Sequence, residues 1–303
     1  MSTPTPPRPP WTIRKVLGWT VEHFRRRDIE SPRPSAEILL AHALGLRRID
    51  LYVRHDQPLD QDELDRFRPL IRRRAAGEPA AYIVGEREFW SLPMGVNPGV
   101  LIPRPETECL VEAALAELPP PAEGVRRVLE LGTGSGAPIL AVASERPGHR
   151  FFASDRSPAA LRTARANAAR NGLADRIRFF LGDWLDPIRS DSPAFDLLIA
   201  NPPYIVSEDI PGLQVEVARY EPREALDGGA DGLSAIRRLI RDAPARLRAG
   251  GVLLLEIGAD QRDAVVRLAE ESGGWGEVRF RRDFAGHDRI VRLAAASSAA
   301  KRA

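Results

Sequence analysis

The run Arg127-Val128-Leu129-Glu130-Leu131 breaks directly into Gly132-Thr133-Gly134-Ser135-Gly136-Ala137, and a helical stretch over 138–145 follows at once. Few folds admit that order. A short apolar run bounded by turn residues reads as a buried strand, and glycines let the chain reverse where a side chain would clash. Strand, glycine turn and helix together open a parallel α/β sheet. The second half of the chain keeps the alternation. Strands are expected at 151–154, 177–180, 196–200 and 251–257, with a closing pair at 278–282 and 289–293. A helix is expected over 106–118. Another starts at Ser157-Pro158, with serine as cap and proline in the first turn, and stops at Asn171-Gly172. Strands alternating with helices predict a mostly parallel sheet covered on both faces.

The first third of the chain reads differently. Residues 1–10 are half proline and predict an extended tail. From 11 to 76 the apolar spacing is helical: Val16, Leu17, Thr20 and Phe24; then Ala36 to Leu44, capped by Ser35 and ended by Gly45; then Asp60 to Ile71. This predicts a small helical bundle. The stretch 77–105 is dense in glycine and proline, with strand-like Ala81-Tyr82-Ile83-Val84 and Phe89-Trp90, and predicts a β-hairpin linker. The main domain is expected over 106–294 and a frayed tail over 295–303.

Global properties exclude several classes. The net charge of +2 argues against a dedicated nucleic-acid binder. Two basic clusters, Arg25-Arg26-Arg27 and Arg72-Arg73-Arg74, read first as solvated helix faces and second as contacts for an acidic partner. Cys109 is the single cysteine, so an internal disulfide is excluded. No segment reaches the roughly 18 consecutive apolar residues of a spanning helix, and the N-terminus lacks a secretion signal, so a cytoplasmic location is expected. No Ser-His-Asp set or metal-spaced His/Cys cluster occurs.

Four motifs carry chemistry. The glycine loop suits close backbone approach to a ligand, and Gly132, Gly134 and Ala137 also satisfy a dinucleotide fingerprint. Glu130 two positions before the first glycine, with Gly136 as a third glycine, tilts the loop towards S-adenosylmethionine (SAM). Asp155, ending the second strand, can accept hydrogen bonds from ribose hydroxyls in either case. Asp183 and Trp184, after the third strand, offer an acceptor for an adenine amine and an apolar wall. The strand 196–200 runs into Asn201-Pro202-Pro203-Tyr204. Two prolines lock a rigid turn there. The Asn201 side-chain oxygen and the Pro202 carbonyl can accept both hydrogens of a planar amine or amide, and Tyr204 offers a flat surface to it. That chemistry does not separate a glutamine amide from an adenine amine.

Glu86-Arg87-Glu88-Phe89-Trp90, Leu101-Ile102-Pro103-Arg104-Pro105-Glu106-Thr107-Glu108, the glycine loop and the Asn-Pro-Pro-Tyr turn resemble the HemK/PrmC family of release factor glutamine N5-methyltransferases. The resemblance spans nearly the whole chain. It implies a class I SAM-dependent methyltransferase fold, Rossmann-like with a seven-stranded, mostly parallel sheet, behind a helical domain that recognises substrate. It implies SAM contacts at Gly132, Thr133, Gly134, Ser135, Gly136, Asp155, Trp184 and Asn201. The implied acceptor is the Gly-Gly-Gln glutamine of class 1 release factors, held by Asn201, Pro202, Pro203 and Tyr204. Pro138 and His287 depart from the family pattern. A monomer with no direct nucleic-acid partner is expected. The alternatives are an adenine N6-methyltransferase, which wants a basic recognition domain, and a ribosomal-protein glutamine methyltransferase, which differs in the linker.

Overall fold

The computed structural model describes residues 11–189 and 195–296 in two units. The tail expected at 1–10, and residues 297–303 of the one expected at 295–303, lie outside the described residues.

The first unit comprises residues 11–85 with the helical segment Val215–Tyr220. α1 (Ile13–Arg25) begins at Thr12, whose hydroxyl accepts the Lys15 N–H at 3.4 Å. Its buried residues Ile13, Val16, Thr20 and Phe24 lie on one stripe. α2 (Pro32–Leu44) begins at Ser31-Pro32, not at Ser35. Ser35 is inside the helix and buried, where its hydroxyl accepts from Arg74 at 3.2 Å. Gly45 ends α2 in the left-handed region, as expected. A short α3 (Arg48–Val53) follows, then α4 (Gln61–Ala75), whose cap Asp60 accepts the Glu63 N–H at 2.7 Å while Glu63 reciprocates. Ala81-Tyr82-Ile83-Val84 is helical, not extended: α5 (Ala80–Val84) lies between Pro79 and a left-handed Gly85. Proline before and glycine after a short apolar run mark a helix, and periodicity alone cannot separate the two over so few residues. The reading of Arg72-Arg73-Arg74 as a solvated face fails at Arg74. That guanidinium is buried and pairs with Glu216 at 2.8 Å.

The second unit opens with the hairpin β1 (Glu86–Phe89) and β2 (Leu92–Gly95). Phe89 ends β1, but Trp90 is a turn residue rather than strand. Trp90 and Ser91 both have positive φ, 52° and 58°, the twist a two-residue hairpin turn demands. Trp90 is held by its N–H on Glu108 and its indole on Glu145, both near 3 Å. Phe89 and Met94 are buried in the core of this unit, so the hairpin is part of it.

A 3₁₀ turn (Pro105–Thr107) leads into α6 (Glu108–Glu117). Then come β3 (Arg127–Leu131), α7 (Ala137–Glu145), β4 (Arg150–Asp155), α8 (Pro158–Arg170), β5 (Ile177–Leu181) and β6 (Phe195–Ala200). The Val215–Tyr220 segment is α9. It is followed by α10 (Ser234–Asp242), β7 (Leu247–Glu256), α11 (Arg262–Ser272), β8 (Trp275–Arg282) and β9 (Asp288–Ala295). The seven strands order as β5-β4-β3-β6-β7-β9-β8, parallel except for β9. The expected sheet is the observed one. β9 includes Ala294 and Ala295, so fraying does not begin there: Ala295 is buried against the core. Alternation along the strands builds a core on each face. Val128, Leu197 and Leu254 join α6, α7 and α8, while Leu129, Leu198 and Leu255 join α10 and α11. Pro138 sits in the first turn of α7, where no helical N–H partner is lost.

Candidate active site

Strand order reverses between β3 and β6, and ligands of open α/β sheets bind at the carboxyl ends of strands at such a point. A cleft of about 870 Å³ lies there. Its walls bring together Gly132, Thr133, Gly134, Ser135, Asp155, Asp183, Trp184, Asn201 and Pro203 from four separate loops. Gly136, Pro202 and Tyr204 are not among the residues that line it.

The glycine loop explains itself residue by residue. Gly132, Gly134 and Gly136 all have positive φ: 69°, 54° and 84°. A side chain at Gly132 would also meet the Trp184 ring at 3.2 Å, and one at Gly136 would meet Ala164 at 3.2 Å. Gly132 thus admits the indole, while Gly136 admits α8. Trp184 itself adopts φ 50°, a strained value for a bulky residue, which turns its ring over the loop. Asp155 receives the Gly134 N–H at 2.9 Å on one oxygen and the Ser157 N–H at 2.8 Å on the other. Its carboxylate is thereby fixed between the loop and the start of α8. Asn167 on α8 ties the loop to the hairpin, donating to Ser135 O and Gly95 O.

Glu130 is fully buried below the loop and borders the cleft. Burial pushes its carboxyl up to about 8, against the Thr133 hydroxyl and the Ile139 N–H, which favour the charged form. Asp183 is paired with Arg238 at 2.7 Å, and Arg238 also holds Asp186 at 2.6 Å. The acceptor expected of Asp183 is therefore already engaged by a guanidinium.

On the opposite side, β6 delivers Asn201 into the wall. The Asn201 amide nitrogen donates to Thr107 Oγ1 at 3.2 Å, which directs Oδ1 elsewhere as an acceptor. The turn is braced from behind. Gln261 donates to Tyr204 O at 3.1 Å and to Gly232 O at 3.0 Å, while accepting the Gly258 N–H. The Tyr204 hydroxyl reaches Glu256 at 3.5 Å, and burial pushes it up to about 12, with the Glu256 charge adding to the effect. Thr107, Arg104, Arg238, Gln261 and Glu256 were given no role from the sequence. Thr107 and Arg104 fall inside the Pro-Arg-Pro-Glu-Thr motif, which was the available signal. Arg238, Gln261 and Glu256 come from helix and strand positions with no local signature.

Residues 15–85 match the PrmC N-terminal domain family, and residues 124–256 match a methyltransferase domain family. A release factor glutamine methyltransferase of Rhodopirellula baltica is 41% identical over 94% of this chain and 96% of its own length. One from Moorella thermoacetica is 46% identical over 92% of this chain and 96% of its own. The solved hMettl16 catalytic domain in complex with the MAT2A 3'UTR hairpin 6 covers 68% of this chain and 76% of its own, at 18% identity and a TM-score of 0.54, a likeness of fold alone. The fold is that of class I SAM-dependent methyltransferases, and the sequence relatives match more than nine-tenths of the chain. The chain belongs to the release factor glutamine methyltransferase family.

Proposed function

We propose that the protein transfers the methyl group of SAM to the side-chain amide nitrogen (N5) of the glutamine in the Gly-Gly-Gln motif of class 1 release factors. The observation that carries the reading is Asn201. It stands in the cleft wall with its amide nitrogen engaged by Thr107, so that Oδ1 is the atom left to accept. The cleft fits SAM. The glycine loop brings its backbone under the Trp184 ring, and Asp155 is a fixed acceptor for ribose hydroxyls.

Bound SAM supplies a methyl group activated on a sulfonium. The chain's own task is to hold a poor nucleophile. An amide nitrogen has a delocalised lone pair, and positive charge develops on it as it attacks. Asn201 Oδ1 and the Pro202 carbonyl accept its two hydrogens, fix its direction and stabilise that charge. Pro202 and Pro203 keep both acceptors from relaxing. Tyr204 packs against the planar amide. As the nitrogen–methyl bond forms the methyl–sulfur bond breaks, and the methylated nitrogen releases one of its protons to water, so no side chain is required as a general base. Asn201 also contacts SAM in this reading, together with Gly132, Thr133, Gly134, Ser135, Gly136, Asp155, Asp183 and Trp184.

The first unit holds the protein substrate in this proposal. It exposes Trp19 and Val53 (51% and 74%), an apolar surface of the kind partners cover. The protein acts as a cytoplasmic monomer without direct nucleic-acid contact; among the described residues no helix is long and apolar enough to cross a membrane. The test is methyl transfer from labelled SAM to release factor, to its Gln→Ala variant at the Gly-Gly-Gln motif, and to DNA. Label on the intact release factor alone supports the reading. Label on the Gln→Ala variant or on DNA overturns it.

A further inference from the structure

Pro202 and Pro203 have no backbone N–H, so the turn after β6 has no donors of its own at those two positions to anchor it. A side chain from another segment holds its far end. Gln261 stands at the start of α11, is 7% exposed and is not among the residues that line the cleft. Its Nε2 donates to Tyr204 O at 3.1 Å and to Gly232 O at 3.0 Å, and its Oε1 accepts the Gly258 N–H at 2.9 Å. A primary amide has two N–H donors on one atom and an acceptor on the other. Here both donors go to carbonyls of two different segments, and the oxygen goes to the turn that carries the side chain. Turned over, the amide would set its oxygen against two carbonyl oxygens and its NH₂ against an N–H, so only this orientation is satisfied.

The second carbonyl belongs to a segment that is itself fastened to the turn. Ile205, next after Tyr204, donates to Leu226 O at 3.0 Å and accepts the Gly228 N–H at 2.8 Å, and the Ser207 N–H reaches Gly229 O at 3.0 Å. The same segment contributes Asp227 and Ser234 to the cleft wall. Gly232 has φ 72°, and a side chain there would meet Tyr204 O at 2.6 Å and Gln261 Nε2 at 2.8 Å. Glycine is what lets three segments meet around one amide. We propose that Gln261 is a positioning residue. By gripping Tyr204 O and Gly232 O together it fixes the far end of the Asn-Pro-Pro-Tyr turn, so that Asn201 Oδ1, the Pro202 carbonyl and the Tyr204 ring meet the methyl acceptor in one geometry. The two proline rings lock φ between Asn201 and Tyr204, so a constraint at Tyr204 carries back to Asn201. Thr107 holds the Asn201 side chain at one end of the turn, and Gln261 holds the main chain at the other. The inference rests on the reading of this turn as the amide clamp.

Methyl transfer needs nitrogen, methyl carbon and sulfur in line, and a misplacement of about 1 Å can cost about a hundredfold in rate. A looser turn therefore slows the bound complex. It spares affinity for SAM, most of whose proposed contacts lie on the glycine-loop side. It also spares affinity for release factor, which the proposed reading assigns to the first unit.

The experiment compares full-length wild type, Gln261→Met, Gln261→Glu and Asn201→Ala for kcat, KM for release factor, SAM Kd and Tm, with the assay run below the lowest Tm so that every variant is folded. Gln261→Met fills the space without donors and should lower kcat by about tenfold, the scale of one lost orienting hydrogen bond. Gln261→Glu keeps the shape but faces two carbonyl oxygens with a carboxylate, and should lower kcat further, by about thirtyfold. KM and SAM Kd should move little in both. Wild-type kcat in either Gln261 variant, beside a slow Asn201→Ala, overturns the inference alone. A loss that falls on SAM Kd or on KM as much as on kcat also overturns it, because it marks a merely structural role. Wild-type turnover in Asn201→Ala removes the amide-clamp reading and this inference with it.

Discussion

The two sides of the cleft are built on the same plan with different reach. Each has a buried glutamate at the end of a strand near a hydroxyl: Glu130 of β3 with the Thr133 hydroxyl, and Glu256 of β7 with the Tyr204 hydroxyl. Those strands flank β6, which ends at Asn201. On the glycine-loop side the partners are three residues apart, and the carboxyl borders the cleft. On the Asn201 side they are brought together from distant segments, and the carboxyl sits behind the wall. The difference is one of task. In the proposed reaction the loop side presents backbone and an indole face to the cofactor, which glycines and local bonds achieve. In the proposed reaction the Asn201 side fixes which atom of one amide faces the substrate, and the turn is braced by Thr107 and Gln261.

If the two sides are separate in function, substitutions on the loop side should weaken SAM binding and spare the rate of bound enzyme. The largest effect is expected for Gly132→Val. Its side chain would meet Trp184 at contact distance in a left-handed conformation, and SAM Kd should rise about a hundredfold. A calorimetric titration that shows unchanged affinity breaks the comparison. Asp155→Asn is next. It keeps the shape but weakens acceptors for the Gly134 and Ser157 N–H groups and for a ribose, so Kd should rise about tenfold. Arg238→Met should have a smaller effect, about threefold on Kd, by freeing Asp183 and Asp186 to repel each other; an unchanged Kd would leave Asp183 outside the SAM site.

The smallest effect concerns pH. The folded Glu130 carboxyl is raised to about 8, above the roughly 4.3 of a free glutamate. A group raised in the folded state contributes stability that is complete below its unfolded value and is lost as pH climbs through the folded one. Melting of the SAM-free protein should therefore drop between pH 6 and pH 9, and by less in Glu130→Gln. Identical pH dependence in the two proteins would show that Glu130 titrates normally.

Much of this was legible in the sequence, for reasons that differ by element. β3, the glycine loop and α8 are specified by neighbours in the chain: a buried run, three left-handed glycines, and Ser157 capping through the Ala160 N–H. Local patterns suffice where local bonds do the holding. Ala81-Tyr82-Ile83-Val84 was misread because four apolar or small residues fit strand and helix alike, and only the flanking Pro79 and Gly85 decide. Arg74 was misread because its burial depends on Ser35, Glu30 and Glu216 as well as the nearby Glu78, and a local window contains only the last. The same holds in the site. Asn201 announces itself through its prolines, whereas Glu256 and Gln261 act through contacts across 50 residues or more, visible only once the sheet has formed.

The central claim is that Asn201 holds the methyl acceptor rather than the cofactor alone. Single-turnover methylation of release factor by Asn201→Ala, measured beside its SAM Kd, tests it most directly. Loss of one charge-stabilising acceptor is worth about 3 kcal/mol, so the rate should fall at least a hundredfold, roughly, while Kd changes only a few-fold. A wild-type rate in that variant, or a loss accounted for entirely by weaker SAM binding, contradicts the account.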